Sequence, residues 1–213
     1  MTSTRLRQFA ATLLVVLGSL FFAPAAMAAS CSIATSQGAT GPAGWQTYCW
    51  IDLSTYNDTT ARSAFGQNMS LSLQDGTVVR FNLKVTSGSA LNTLPAPSWS
   101  GAAIGNTAFL GIAGEPVIYQ TNGGTSTIVM SNIVLTPPPG ATGGTQYMIV
   151  AADGESTNDN ETLRFVTNGG NWSLLDQVGP ISGSTYPGQS GTGTNTFTET
   201  GVGGTVGAYI VGS

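Results

Sequence analysis

The clearest indication of the fold lies in residues 69–85, which read Met69-Ser70-Leu71-Ser72-Leu73-Gln74-Asp75-Gly76-Thr77-Val78-Val79-Arg80-Phe81-Asn82-Leu83-Lys84-Val85. Apolar and polar side chains alternate on both sides of the Asp75-Gly76 pair. Alternate side chains of a β-strand point to opposite faces of the sheet, and Asp-Gly is a preferred hairpin-turn sequence. The stretch therefore predicts a β-hairpin with one face packed inward and the other in contact with water.

Similar segments recur along the chain and predict an all-β protein. They are rich in Val, Ile, Thr, Tyr and Phe, and clusters of Gly, Asn or Pro separate them, which is typical of strands joined by turns. The 29 glycines and the scarcity of amphipathic helical pattern leave room for one short helical turn, over residues 59–65. We predict an antiparallel β-sandwich of roughly ten or more strands. Besides the hairpin, the predicted strands are residues 45–53, 126–135, 146–152, 161–166, 172–176 and 205–211.

Two stretches are predicted to be irregular. Residues 137–140 contain three consecutive prolines before Gly140, and proline has no backbone N–H to donate within a central ladder. Residues 187–204 are rich in Gly, Thr and Ser and resemble a linker in isolation, although a strand is predicted after them. We expect this second stretch to be a long loop or an irregular sheet edge.

The N-terminus has the pattern of a secretory signal peptide. Two arginines precede an apolar stretch at residues 10–23, and Ala26-Met27-Ala28 supplies a small-x-small cleavage site. We therefore expect residues 1–28 to be a signal peptide and residues 29–213 to form a single domain. The protein is expected to be secreted or periplasmic, or associated with the cell surface.

Charge excludes several classes of partner. Without the two arginines of the leader, four basic residues remain against ten acidic ones, a net charge of 4 − 10 = −6. Nucleic acids and anionic membranes are bound through clustered Lys and Arg, so neither is expected as a partner. No second long apolar stretch follows the leader, so no integral membrane span is expected in the mature chain.

The two cysteines, Cys31 and Cys49, are predicted to form one disulfide. An even number of cysteines in an exported protein favours this interpretation, and closing such a loop contributes roughly 3 kcal/mol in the chain-entropy model. The alternative is a lipid on Cys31, directly after the leader. Ala28 stands where a lipid-attachment motif normally has a larger aliphatic residue, and lipidation would leave Cys49 unpaired.

Four of the ten acidic residues lie in one run, Asp153-Gly154-Glu155-Ser156-Thr157-Asn158-Asp159-Asn160-Glu161. The run follows apolar residues, so a strand is expected to deliver it to a sheet edge. It has carboxylate and amide oxygens, which Ca²⁺ prefers, but not the EF-hand spacing of Gly and Glu. A polar turn that caps backbone amides is the alternative. We predict calcium as the cofactor, bound by Asp153, Glu155, Asn158, Asp159 and Glu161.

No catalytic residue is predicted. The chain has no histidine, which removes the usual general base, the Ser-His-Asp and Cys-His arrangements and the commonest zinc ligand. Paired carboxylates can still support glycoside hydrolysis across a cleft. The candidate acids outside the run are Asp52, Asp58, Glu115 and Asp176. Acids are mostly exposed, so we expect each of them at a solvated loop or strand end.

Tryptophan offers a second binding chemistry, because an exposed indole can stack on a sugar or anchor a protein partner. Trp99 lies in a proline-containing, loop-like stretch, whereas Trp45, Trp50 and Trp172 are expected to be mostly buried. We therefore predict Trp99, Asp153 and Glu155 as the ligand-binding residues.

Several stretches together resemble the non-repetitive ligand-binding domain of CshA-type bacterial surface adhesins. The resemblance extends over most of the mature chain. It rests on Leu71-Ser72-Leu73-Gln74-Asp75-Gly76-Thr77, on Pro97-Ser98-Trp99-Ser100-Gly101-Ala102-Ala103 leading to Phe109-Leu110-Gly111, on Val150-Ala151-Ala152-Asp153-Gly154-Glu155-Ser156-Thr157-Asn158 with Glu161, and on Gly169-Gly170-Asn171-Trp172-Ser173-Leu174-Leu175.

The resemblance implies a lectin-like or jelly-roll sandwich that binds glycoproteins of a host or a neighbouring cell, fibronectin among them. We therefore expect a secreted, non-enzymatic, adhesin-like module that recognises a glycan or glycoprotein, including those of a host matrix. A structural protein of an extracellular matrix or surface coat is the alternative. A glycan-active enzyme is a more distant one.

Overall fold

A computed structural model describes residues 29–97, 102–141, 147–155, 157–180, 185–204 and 206–213, with side chains from residue 31 onward. The predicted signal peptide, residues 1–28, and Trp99 lie outside the described residues. The described residues form thirteen strands, a 3-10 helix at Trp45–Thr47 and the short helix α1 at Asp58–Ala61. The strands are β1 Ala29–Ser32, β2 Trp50–Ile51, β3 Gln67–Ser72, β4 Val78–Ser87, β5 Leu91–Leu94, β6 Val117–Gln120, β7 Thr127–Thr136, β8 Val150–Ala152, β9 Thr162–Val166, β10 Ser173–Val178, β11 Gly188–Ser190, β12 Thr196–Thr200 and β13 Ala208–Gly212.

The strands form four sheets, in the orders β2-β1-β3-β4-β7, β10-β13-β8, β11-β12-β9 and β5-β6. The prediction of an all-β, antiparallel protein is confirmed, with one departure, since β1 pairs with β3 in parallel. A parallel pair needs a long crossover connection. Residues 33–66, which contain β2 and α1, provide it.

The predicted hairpin is formed by β3 and β4. In its turn the backbone amide of Leu73 donates to the carbonyl of Thr77 (2.8 Å), and the Asp75 side chain accepts from the Thr77 amide (2.9 Å). Gly76 has φ +84°, a left-handed conformation that favours glycine. The predicted inward face is confirmed, because its buried side chains are Met69, Leu71, Phe81, Leu83 and Val85.

Two predictions along the chain are wrong. Residues 45–53 are not one strand, because the amides of Trp45 and Thr47 donate to the carbonyls of Pro42 and Gly44 and wind the chain into the 3-10 helix. The long loop expected at residues 187–204 is wrong, since β11 and β12 form a hairpin there and β12 also pairs with β9, although β11 does lie at a sheet edge. The glycines that suggested a linker include Gly191 and Gly193, which lie in the turn between β11 and β12.

The core is divided into buried clusters that join the sheets. Trp172 packs in one of them beside Phe165 and Phe197, whereas Trp45 and Trp50 are half-buried at the edge of another. The prediction of mostly buried tryptophans is thus confirmed most clearly for Trp172, which is 5% exposed. Burial of large aromatic side chains such as these supplies much of a domain's hydrophobic stabilisation.

The predicted disulfide joins Cys31 in β1 to Cys49, with 5.4 Å between the Cα atoms. That separation is usual for a disulfide. Because the Cys31 sulfur is engaged in this bond, it is not free to carry the lipid considered above. No helix in the described ranges is long and apolar enough to cross a bilayer.

Candidate functional site

Strand β8 delivers the acidic run to a sheet edge, as the sequence predicts, because β8 is the outer strand of the β10-β13-β8 sheet. Part of the run is turn architecture. The carboxylate of Asp153 accepts from the Glu155 amide (3.0 Å), and that of Glu161 accepts from the Asn158 amide (3.1 Å). These two carboxylates therefore cap backbone amides, as the polar-turn alternative predicts.

A further acid meets the run from β12. Glu199 is 0% exposed, and its carboxylate faces the Thr157 hydroxyl, whose oxygen lies 3.5 Å from Glu199 Oε2 and 2.7 Å from Asp153 Oδ2. A hydroxyl has one proton to donate, and the shorter contact is with Asp153. Glu199 Oε1 has no hydrogen-bond partner among the described residues. The two acids, Asp153 and Glu199, are called the inner acid pair below, and the Thr157 hydroxyl lies between them.

Burial shapes the electrostatics of this pair. Burial raises the pKa of Glu199 to about 8, and the nearby Asp153 carboxylate adds to the rise. Burial also raises the pKa of Asp153, whose residue surface is partly exposed but whose carboxyl group is surrounded by protein. Loss of hydration disfavours the charged form of an acid, and a second carboxylate disfavours it further. The inner acid pair is thus an unfavourable place for two negative charges.

The other acids of the run lie further out. Glu155, Asp159 and Glu161 are exposed and Asn158 is partly exposed. Burial first, and then the charges of neighbouring acids including Asp153, raise the pKa of Glu161. No group of three or more His, Cys, Asp or Glu in the described part of the chain could hold a metal. The calcium site expected from the sequence stays a prediction.

A second polar region is an open hollow of about 400 Å³ between α1 and the two-stranded β5-β6 sheet. Its walls include Tyr56, Asp58, Asn92, Thr93 and Tyr119. They thus combine two tyrosine rings with carboxylate, amide and hydroxyl groups. Such groups suit a sugar, which has both apolar C–H faces and hydroxyls. We call this region the tyrosine hollow.

Asp58, in the wall of the tyrosine hollow, is neutralised by the chain itself. It accepts from Arg62 Nε (2.7 Å) and from the Tyr56 hydroxyl (2.6 Å). Burial acts to raise the pKa of Asp58, but the hydrogen bonds from Arg62 and Tyr56 outweigh it, so that this pKa lies below its ordinary value. Burial and the bond to Asp58 raise the pKa of the Tyr56 hydroxyl.

The remaining acids considered for hydrolysis have structural contacts. Asp52 accepts from the backbone amides of Ser54 and Glu115, Asp176 accepts from the amide of Gln177, and Glu115 accepts from the Thr93 hydroxyl. Burial acts to raise the pKa of Asp52, but the amide hydrogen bonds prevail and lower it. Each of these acids therefore forms hydrogen bonds that stabilise a turn or a strand end.

Sequence reasoning missed Glu199 and the tyrosines of the hollow. Glu199 lies in the stretch predicted as a loop, where the alternation Thr196-Phe197-Thr198-Glu199-Thr200 could have indicated a strand with Phe197 and Glu199 on one face. The two inward residues are both fully buried. Trp99, predicted as a ligand-binding residue, lies outside the described residues. Asp153 and Glu155 lie at the end of β8.

Comparison with known proteins identifies the family. The family model described as surface adhesin CshA non-repetitive domain 2 matches residues 46–213, which include the acidic run, Glu199 and the tyrosine hollow. No curated protein and no solved structure matches the chain. A family of surface adhesins implies a place outside the cell or on its surface and gives no support to a periplasmic one. The chain therefore belongs to the family of the CshA surface adhesin non-repetitive domain 2.

Proposed function

We propose that this protein is a secreted, non-enzymatic adhesin module that recognises a glycan or a glycoprotein, with its sheets arranged as a lectin-like sandwich. The observation that carries the proposal is the family match over residues 46–213. Glycoproteins of a host matrix, fibronectin among them, are the partners that the family resemblance suggests. Adhesion requires recognition of a surface and no chemical step, in keeping with a chain that has no histidine.

The tyrosine hollow supports a glycan as the ligand. Tyr56 and Tyr119 offer ring surface on which the apolar face of a sugar can pack, and the exposed Asn92 offers both a donor and an acceptor. Asp58 is held by Arg62 and Tyr56, so it is oriented before a ligand arrives. Such preorganisation lowers the entropic cost of binding.

Trp99, Asp153 and Glu155 remain our proposed ligand contacts outside the hollow. Of these, Glu155 is exposed, and Asp153 receives the amide of Glu155 and so fixes the backbone of the turn. Asp153 would therefore affect a ligand through the shape of the turn, and Glu155 would contact it directly. Trp99 would act by stacking on a sugar ring.

One observation favours a structural coat protein as the second candidate. Strand β7 is the outer strand of its sheet and has no charged residue, and its exposed apolar side chains are Ile128, Val129, Ile133 and Val134. An uncharged edge of this kind can pair with another chain. Asn132, at φ +53°, interrupts the regular strand in the middle, which limits such pairing.

A glycan array and a panel of immobilised glycoproteins that includes fibronectin would test the proposal. We expect saturable binding that falls at least roughly fivefold in Asn92→Ala and Tyr119→Ala, since each removes a contact worth about 1 kcal/mol or more. Asn171→Ala is the control, because Asn171 is exposed and does not line the hollow. Loss of binding in Trp99→Ala alone would move the ligand out of the hollow.

Three outcomes would contradict the proposal. Turnover of a polysaccharide would make the protein an enzyme. Absence of binding to every glycan and glycoprotein would remove the adhesin function. Concentration-dependent self-assembly that Val134→Lys abolishes, without binding of any soluble ligand, would favour the coat protein.

A further inference from the structure

The inner acid pair contains a buried oxygen for which the described residues provide no hydrogen-bond partner. Glu199 is 0% exposed, and its Oε1 has no hydrogen-bond partner among the described residues. A buried polar atom without a partner is rare in folded proteins and costs free energy, all the more so for a carboxylate. A group that the described residues do not supply is therefore expected at this oxygen.

A second carboxylate, that of Asp153, lies near the Glu199 carboxyl group. Asp153 and Glu199 approach the same Thr157 hydroxyl, at 2.7 Å and 3.5 Å, and this hydroxyl can donate to only one of them. The Glu155 amide fixes Asp153 Oδ1 from the other side (3.0 Å). Two carboxylates and one hydroxyl thus bring five oxygen atoms to one buried place, from the end of β8, the turn after it and β12.

No basic side chain of the described residues pairs with these acids. Arg164 lies in β9, but it is paired with Thr198, so its side chain lies on the opposite face from that of Glu199. The ion pair that the structure describes, between Arg62 and Asp58, involves neither Asp153 nor Glu199. The described basic side chains therefore do not balance the charge of the inner acid pair.

We infer that Asp153, Thr157 and Glu199 form a buried calcium site that joins the turn after β8 to β12. Ca²⁺ takes six to eight oxygen ligands in a flexible geometry, and nearby backbone carbonyls of the turn would complete the shell around these five. Mg²⁺ dehydrates reluctantly and keeps several waters, whereas Glu199 is 0% exposed, and Zn²⁺ prefers nitrogen and sulfur.

This site differs from the calcium site expected from the sequence in requiring Glu199 and in leaving Asp159 and Glu161 outside. It does not rest on the adhesin function proposed above, since a cation that holds two strands together can serve any function. Its role is structural, because it joins elements that belong to two different sheets.

Thermal unfolding of the full mature chain, stripped with chelator, tests the inference. We expect calcium at about a hundred times its dissociation constant to raise Tm by roughly 5 to 10 °C, with a much smaller effect of magnesium. Glu199→Gln keeps the size of the side chain but removes its charge, and it should abolish the calcium effect. Asp159→Asn is the matched control in the same run and should respond to calcium as the wild type does.

Equilibrium dialysis of ⁴⁵Ca²⁺ provides a second readout, with one ion expected per chain. If Glu199→Gln does not fold, Asp153→Asn takes its place in both measurements. The inference is overturned if millimolar calcium leaves the wild-type Tm unchanged. In that case a proton, and not a cation, neutralises Asp153 and Glu199. It is also overturned if the calcium response survives in Glu199→Gln or disappears in Asp159→Asn.

Discussion

Asp58 and Glu199 are two acids whose surroundings have opposite effects on their protonation. Asp58 lies beside Arg62 and Tyr56, and its pKa is below the ordinary value, although burial acts in the other direction. Glu199 faces Asp153 and one shared hydroxyl, and burial raises its pKa to about 8. The difference arises first from burial, which is complete for Glu199, and then from the partners, because Asp58 has a cation and a donor where Glu199 has a second acid.

The comparison shows how a chain with few basic residues places its acids. After the leader, four basic residues serve ten acidic ones, so most carboxylates must rely on water, amides or hydroxyls. Asp52 and Asp75, for example, accept from backbone amides. Glu199 is fully buried without such an amide. A charged form at that position needs a cation, and a neutral form needs a proton.

The largest expected effect is a loss of stability with rising pH in calcium-free protein. Glu199 has a folded-state pKa of about 8, above its ordinary value of 4.5, so the folded state holds the proton more tightly between these values. The stability that protonated Glu199 contributes is therefore fully present below about pH 4.5 and is lost as pH rises through 8. The loss is on the order of 4 kcal/mol, to be measured by urea unfolding between pH 5 and 9.

Glu199→Gln is the matched variant for this measurement, because it cannot ionise. Its stability should vary much less over the same pH range, while Asp153 still contributes in the same direction. Asp58 and Asp52 do not interfere, since their lowered pKa values affect stability only at more acidic pH. Equal slopes for the wild type and Glu199→Gln would show that another group titrates.

The second largest effect is expected from Arg62→Gln, which removes the cation from Asp58. Arg62 also donates to the carbonyls of Gly88 and Ser89 and so ties α1 to the connection between β4 and β5. The ion pair is partly exposed and contributes little alone, so the lost hydrogen bonds dominate. We expect a loss of about 1 to 2 kcal/mol in urea unfolding at pH 7. Arg80→Gln, in an exposed strand position, should cost less than half of that.

Tyr56→Phe makes a smaller change in the same region, because it removes one donor from Asp58 and keeps Arg62. We expect a loss of about 1 kcal/mol and an increase in the pKa of Asp58. Both can be measured on one sample, by urea unfolding and by the NMR titration described below. An unchanged pKa of Asp58 would show that Arg62 alone sets its protonation.

The smallest effect is expected from Asp159→Asn, outside the inner acid pair. Asp159 is exposed and has φ +48°, a left-handed conformation that asparagine adopts as readily as aspartate. We expect a change in unfolding free energy of less than about 0.5 kcal/mol. A change above 1 kcal/mol would mean that the outer acids are part of the same buried network.

Much of the fold could be predicted from the sequence, whereas the inner acid pair could not. The hairpin of β3 and β4 follows from a period-two pattern, and the strands β7, β9, β10 and β13 follow from β-branched and aromatic composition between turn residues. The β11-β12 hairpin was missed because its turn is built on glycine. At Gly191, φ is +88° and a Cβ atom would lie 1.9 Å from the carbonyl oxygen of Thr196. A turn of this kind has the composition of a linker.

The burial of Glu199 depends on pairing that is distant along the chain. Glu199 faces inward because β12 pairs with β9, where Glu199 lies opposite Leu163, and because the turn after β8 brings Thr157 to it, 42 residues away in sequence. The local alternation places Glu199 on the same face as Phe197, but acids are rarely buried, so the alternation alone does not assign this acid to the core. Asp153 was found from the sequence because the acids around it are clustered.

The contrast between Asp58 and Glu199 can be measured directly by NMR titration of their side-chain carboxyl carbons in calcium-free, ¹³C-labelled protein. We expect Glu199 to titrate with a midpoint near 8 and Asp58 with a midpoint below its ordinary value of 3.8. A midpoint of Glu199 near 4.5 would contradict the account, because it would show that its carboxylate is hydrated or already paired within the chain.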